Sequence, residues 1–313
     1  MPVDDDALGF SPADDQPVRY IDRTHAWYDA IGTNNRYRYA TYRDVPFAPL
    51  SKPLADCGVA LLTTAAPYDP DKGPQGAGAP YNAAAKFYAV YSGDTAVDHD
   101  LRISHVGIDR RQLTDDTNCW FPLPALRRAA AAGRIGRVAP RFHGVPTNRS
   151  HRHTIEVDAP EVLRRVREDG AEVAVLVANC PICHQTMALL ARHLEAAGLP
   201  TVVMGAAKDI VEACGVPRFL FSDVPLGNSA GLPYDVASQD ATLALALRVL
   251  ETAIAPRTTV QSPLRWTREA DWKRHVMDVG SLTPERLQAL RTDFFQSKQV
   301  SHAKRAADLA GQD

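Results

Sequence analysis

At 313 residues the chain is long enough for one large α/β domain or two smaller ones. Its 45% hydrophobic and 23% charged residues are those of an ordinary globular protein, and a formal net charge of −2 argues against a nucleic-acid surface. No apolar run approaches membrane-spanning length, and five scattered cysteines without a signal peptide suggest a reduced, cytoplasmic protein rather than a disulfide scaffold.

Residues 1–17, rich in Asp and Pro, read as a disordered lead-in. From Val18 to Arg43 the rings of Tyr20, Trp27, Tyr28, Tyr37, Tyr39 and Tyr42 form an arm expected to pack on the main body. Gly58 to Ala65 (GVALLTTA) is the first strand and ends in Thr63 and Thr64. The Gly/Pro-rich run from Pro67 to Pro80 is a loop of the length usual for lids or disorder. Leu101 to Val106 reads as the next strand, with His105 near its end. Asp115, Asp116 and Asn118 suit a solvated turn better than a metal site. A helix follows from Pro124 to Ala132. Arg137 to Arg152 is a basic loop whose Arg141, His143, Arg149 and His151 either clamp a carboxylate or simply meet solvent.

The second half opens with an amphipathic helix from Pro160 to Glu168, stopped by Gly170. Val173 to Ala178 is apolar throughout, the mark of a strand buried on both faces. Met187, Leu190, Ala191 and Leu194 then recur at helical spacing until Gly198 and Pro200 end the helix. Thr201 to Met204 is a strand, Lys208 to Cys214 a short helix, and Arg218 to Ser222 a strand opening into a Gly/Pro loop that holds Asp223 and Asn228. That loop lacks a Walker or dinucleotide fingerprint. Gln239 to Ala253 is a long helix, a further helix starts at Pro284 and runs through Phe294, and residues 297–313 read as frayed.

This order predicts an α/β fold: a mainly parallel sheet with helices on both faces, built as Rossmann-like halves, plus a C-terminal helical segment. The divisions are a lead-in (1–17), an N-terminal half with its aromatic arm (18–150), a C-terminal half (151–256) and a helical tail (257–313). Ligands in such sheets bind beyond the carboxyl ends of the strands. Thr63, Thr64, His105, Cys180 and the Asp223 loop are expected there.

The chemistry concentrates in Cys180-Pro181-Ile182-Cys183-His184-Gln185, where a strand ends and a helix begins. Pro181 suits a first helical position, making Cys180 the cap and placing Cys183 and His184 one turn on. Cysteines at helix N-termini or in Cys-x-x-Cys pairs fall from a pKa of ~8.5 to roughly 3.5–7.5. Cys180 is therefore expected as nucleophile and Cys183 as the resolving thiol, with His184 a proton donor or a partner of the second thiol. A structural zinc site would need further ligands, and His151 and His153 do not stand at a finger spacing, so no metal is expected.

The stretches VPFAPLSKPLADCGVALLTTAAP, DLRISHVG, NCWFPLPAL, GRIGRVAPRFHG, NCPICHQT, AGLPTVVMG and DVPLGNSAG together resemble the selenoprotein B family of glycine, sarcosine, betaine and D-proline reductases, over roughly residues 18–255. In those reductases a selenocysteine stands at the position of Cys180, and the resemblance implies that this residue attacks the carbon α to a carboxylate and displaces an amino group. Here sulfur takes the place of selenium.

The expected function is a thiol-dependent reductase that cleaves a carbon–heteroatom bond in a small carboxylated molecule. Its catalytic residues are Cys180, Cys183 and His184, and its substrate-binding residues are Thr63, Thr64, His105, Arg141, His143, Gln185, Asp223 and Asn228. No cofactor is expected beyond the dithiol, which an external thioredoxin-like reductant would reset. Two alternatives stay open: a two-thiol racemase or isomerase, and a non-catalytic metal- or thiol-binding subunit. Small molecules, rather than nucleic acid or membrane, are the expected partners, and the Ala/Leu-rich helices are compatible with a homo-oligomer.

Overall fold

The apolar runs Gly58–Thr63 and Val173–Val177 lie side by side as parallel strands in the middle of one sheet. The structure is a computed structural model describing residues 15–32, 36–103, 105, 107–108, 110–267 and 270–310. In chain order its first half holds α1 (Tyr20–Ala30), β1 (Gly58–Thr63), β2 (Ala66–Pro67), β3 (Tyr91–Asp94), β4 (Leu101–Arg102), α2 (Leu123–Ala131), β5 (Arg137–Val138) and β6 (Arg141–Gly144). Then come α3 (His151–His153), α4 (Ala159–Glu168), β7 (Val173–Val177), α5 (Pro181–Ala196), β8 (Thr201–Gly205), α6 (Lys208–Cys214) and β9 (Arg218–Phe221). The chain continues through α7 (Val236–Thr252), β10 (Thr258–Gln261), α8 (Trp272–His275) and α9 (Pro284–Ala310).

The main sheet runs β10-β9-β8-β7-β1-β6-β3, with β5 also on β1; all its pairings are parallel except β3 with β6. Successive strand residues point to opposite faces. Val59, Leu61, Val173, Val175 and Val177 therefore join one core with α1, α2 and α7, through Tyr28, Leu126 and Leu247. Ala60, Leu62, Ala174, Leu176 and Ala178 join the other with α4 and α5, through Val162, Met187 and Leu190. Neither face of β7 meets water, which is why its sequence shows no polar alternation. Each fully buried Leu or Val side chain contributes about 1.5–3 kcal/mol.

The chain leaves β1 toward β6 on one side and leaves β7 toward β8 on the other. The crevice at the carboxyl ends of β1 and β7 is thus the switch point at which such sheets bind ligands. No helix among the described residues is long and apolar enough to cross a membrane.

Four sequence expectations need correcting. Leu101–Val106 is not a main-sheet strand: only Leu101–Arg102 is extended, paired antiparallel with Ala66–Pro67, and Ser104 and Val106 lie outside the described residues. The Leu101 carbonyl instead accepts the indole N–H of Trp120 at 3.3 Å. The basic stretch from Arg137 to Arg152 is not a loop; it holds β5, β6 and α3. Its polarity hides a strand because Arg141 and His143 turn toward a buried carboxylate, Asp169, rather than toward solvent. Gly144 serves the same strand by close approach, since a Cβ there would lie 1.7 Å from the Tyr91 ring. Residues 297–310 continue α9, held where Ser301 bonds Tyr81 and Arg305 faces Asp158. Most of the lead-in, residues 1–14, lies outside the described residues, but Asp15 is tied to Lys273 and Arg265. The aromatic arm does pack on the body, with Tyr20, Tyr28 and Tyr37 buried.

Candidate active site

Helix α5 starts where β7 stops. Cys180, in extended conformation, is its N-cap: Sγ accepts the Cys183 N–H at 3.2 Å, and Pro181 opens the first turn. Ser, Thr, Asp or Asn usually takes this position; a thiol there receives the same orphan N–H together with the positive end of the helix. The Cys180 and Cys183 Sγ atoms are 2.7 Å apart. Behind them His105 Nδ1 lies 3.2 Å from Cys183 Sγ, and the Thr64 hydroxyl also bonds that sulfur. Thr64 is in turn fixed by Asn179 Nδ2 at 2.9 Å. The residue just after β1 supplies the threonine, and the segment at 105 supplies the histidine.

The two thiols are unequal. Burial pushes Cys180 well above the ordinary thiol value, and its hydrogen bond to Cys183 and the charge on Cys183 push the same way. Burial alone would raise Cys183 too. The hydrogen bond from Cys180, attraction to His105, and the bonds from His105 and Thr64 outweigh it and hold Cys183 well below that value. The proton of the pair is thus favoured on Cys180 over Cys183. The sequence expectation had the lowered thiol at Cys180, three residues earlier. Cys180, however, is the thiol that faces open space.

That space is a cavity of about 970 Å³, which Cys180 and His105 line at its inner end. Lys86 reaches into it, its ammonium donating to the Thr147 carbonyl at 2.9 Å and lying 5.0 Å from the Tyr88 ring centroid. Burial, helped by the Arg149 and Arg305 charges, pushes Lys86 down to about 8, against the pull of the Cys180 and Cys183 sulfurs. Arg149 stands beside it at φ 56°, a left-handed conformation uncommon for a side-chain-bearing residue, and is bonded to the Tyr28 hydroxyl. Arg305 enters from α9. The cavity lining mixes cations with rings: Trp27 and Tyr28 come from α1, and α9 brings Phe294 and Phe295 together with Lys298, His302 and Arg305. Next to it, burial pushes Asp158 up to about 7, opposed by its bond from Asn148 at 3.1 Å. Asp158 ends a π-helical turn (Thr154–Asp158) of the kind often found near functional sites.

The sequence-derived candidates separate into two groups. Cys180, Cys183, His105 and Thr64 come together. Thr63 closes β1, its hydroxyl accepting the Ala65 N–H at 3.1 Å. His184 is turned away from the sulfurs. Its Nδ1–H donates to the Cys180 carbonyl at 2.7 Å, and Nε2 accepts from the N–H groups of Ala206 and Ala207 at 2.8 and 3.1 Å. Burial holds this ring down to about 4, so it is neutral and clamps helix α5 to the end of β8. Gln185 accepts the Ala40 N–H at 2.7 Å, fixing the arm. Arg141 and His143 converge on Asp169 at 2.7 and 3.0 Å, on the α4 face of the sheet. Asp223 pairs with Lys273 beside a separate, smaller cavity, and Asn228 bonds the Gln112 carbonyl at 3.0 Å. Asp116 accepts the N–H groups of Asn118 and Tyr234, as a turn residue does.

Sequence reasoning missed Lys86 and Arg305. A lone lysine between Ala83-Ala84-Ala85 and Phe87-Tyr88 is the available signal, since an isolated cation in an apolar run is often buried for a purpose. For metal binding, His105 Nδ1 or Nε2 and the Cys180 and Cys183 sulfurs lie within 4.8 Å of one another, the one such cluster among the described residues.

The chain is similar to components of known reductases. Over 206 residues the chain is 31% identical to the D-proline reductase subunit gamma of Acetoanaerobium sticklandii, covering 65% of this chain and 82% of that one. It is 25% identical over 206 residues to the sarcosine reductase complex component B subunit beta of Peptoclostridium acidaminophilum, covering 62% and 45%. With the glycine reductase complex component B subunit gamma of Carboxydothermus hydrogenoformans the figures are 24% over 223 residues, 69% and 48%. The chain thus spans about half the length of the latter two. No family profile and no solved structure matches it.

Proposed function

Because the chain belongs to the selenoprotein B family of glycine, sarcosine, betaine and D-proline reductase components, we propose that it is a thiol-dependent reductase component acting on a carboxylated molecule. The observation carrying this reading is the placement of Cys180 at the inner wall of a cationic cavity, with Cys183 and His105 directly behind it.

The substrate carboxylate sits against Lys86 and Arg149, which orients the α-carbon toward Cys180. The Cys180 proton passes to Cys183 across their hydrogen bond, and the freed thiolate attacks the α-carbon. A sulfur–carbon bond forms, the carbon–heteroatom bond breaks, and the leaving group departs with the bonding pair. The departing group takes up the proton from Cys183, whose thiolate then attacks the Cys180 sulfur. A disulfide forms, the sulfur–carbon bond breaks, and the carbon takes its electron pair together with a proton from His105. The substrate is reduced by two electrons and the dithiol is oxidised. An external dithiol returns the pair to its starting state. The relatives are subunits of multi-component reductases, which supports partner proteins for this chain too.

Intact-mass spectrometry with α-substituted carboxylic acids tests the reading. Cys180 is expected to label faster than Cys57, Cys119, Cys183 or Cys214 at neutral pH. Cys183→Ser is expected to stop at the covalent adduct, formed more slowly because the serine does not take the Cys180 proton, whereas Cys180→Ser gives neither adduct nor turnover. Faster labelling of Cys183, or turnover by Cys180→Ser, overturns the assigned roles.

A second reading rests on the His105, Cys180 and Cys183 cluster. Three buried donors, two of them lining a cavity, also match a zinc site with one open position. Equimolar metal in the purified protein, with both thiols protected from alkylation until a chelator is added, selects that reading.

A further inference from the structure

The cavity is far larger than the substrates named for the relatives. We infer that this chain takes an extended, aryl-bearing carboxylate, with its carboxylate and reacting carbon at Cys180 and its ring against the wall formed by α1 and α9. The inference rests on the thiol reading above.

Size comes first. A volume of about 970 Å³ lies at the top of the range for pockets that hold drug-sized ligands. At no more than about 30 Å³ per non-hydrogen atom, glycine or proline would fill roughly a sixth to a quarter of it. The remaining space would hold water against aromatic surface, a poor use of rings that an apolar ligand body would cover.

The lining offers both kinds of group that such a ligand requires. Lys86 and Arg149 are cations of the lining, both anchored by protein partners. Trp27 and Tyr28 come from α1, and Phe294 and Phe295 from α9, giving ring faces beside those cations, with the Arg149 guanidinium 5.0 Å from the Tyr28 ring centroid. The Tyr28 and Phe294 rings meet edge to face with centroids 6.2 Å apart, so the two helices form one continuous wall. Phe295 is 52% exposed, a ring face that a bound apolar group would cover. A small amino acid would leave this wall untouched.

The test compares two alkylating acids, bromoacetate and 2-bromo-3-phenylpropanoate, and the methyl ester of the second. Each rate at Cys180, followed by intact mass, is divided by its rate with free cysteine in the same buffer. In both acids the thiolate displaces bromide, so the labelling needs no reductant. Burying the added ring predicts a normalised preference of about 10- to 100-fold for the phenyl acid over bromoacetate, with saturation. The ester, lacking the charge, is expected to lose most of that advantage. Phe294→Ala and, independently, Phe295→Ala should narrow the preference between the two acids, with circular dichroism and the bromoacetate rate reporting whether each variant is folded. Equal or greater normalised labelling by bromoacetate overturns the inference while leaving the thiol reading in place. Failure of every reagent at Cys180 removes the thiol reading, and the inference with it.

Discussion

Replacing Lys86 with methionine should make the protein more stable and less able to hold an anion. The Lys86 ammonium is held inside the protein envelope, open only to the cavity, and its value falls from 10.5 to about 8. A displacement of that size corresponds to about 3 kcal/mol of preference for the neutral amine. Between about pH 8 and 10.5 the unfolded chain keeps this proton and the folded chain has lost it, so stability rises with pH across that window. Below pH 8 the full penalty is present. Water in the cavity screens part of it, and Lys86→Met also loses the bond to the Thr147 carbonyl, a contribution of about 1 kcal/mol. The expected gain at pH 7 is therefore about 1–2 kcal/mol, shrinking toward zero or reversing above pH 10. Urea unfolding of the two proteins at pH 7, 8.5 and 10 measures the difference directly. A Lys86→Met variant that is less stable at pH 7, or whose difference does not change with pH, refutes the account of Lys86 as a buried cation kept for binding.

Four further outcomes follow from the packing and the site. Arg149→Ala should raise the 3-phenylpropanoate concentration that protects Cys180 from iodoacetamide by about 10-fold or more, as loss of a charge-assisted bond implies. Arg141→Ala, whose guanidinium is engaged with Asp169, should change it less than about twofold in the same assay. Gly205→Ala would place a Cβ 2.6 Å from the His184 ring, so thermal unfolding should show a loss of about 1–3 kcal/mol, with the Cys180 labelling rate altered as helix α5 shifts. Leu176→Ala, fully buried in the central strand, should cost about 2–5 kcal/mol in urea; a loss under 1 kcal/mol would contradict the position of β7 at the core.

The parts of the fold that could be read in advance are those where one interaction dominates. Val173–Val177 has no choice but a doubly covered strand, and the Pro181 start with a Gly198 stop at φ 84° delimits α5. Strands β3, β6 and β10 stayed hidden because YSGD, RFHG and TTVQ carry little apolar signal, and their places come from tertiary pairing and from the Asp169 carboxylate. The histidine assignment shows the limit most clearly. His184 adjoins Cys183 in sequence, yet with about 3.6 residues per turn its side chain leaves the face of Cys183 and meets the backbone after β8. His105, 78 positions away, fills the place beside the sulfur. Contacts between distant segments leave no periodic trace.

The depth of the cysteine pair restricts how electrons can reach it. Cys183 is 0% exposed and Cys180 only 2%, and what access exists runs through the cavity between α1 and α9. Thiol–disulfide exchange requires near-linear approach of the incoming sulfur to the one attacked. A flat protein surface presenting its own cysteine pair cannot bring a sulfur that far in while α9 stays in place. On the proposed thiol chemistry, a donor for this chain would be filtered by shape: a small dithiol would enter directly, whereas a protein donor would have to carry its thiol on a slender arm or first displace α9.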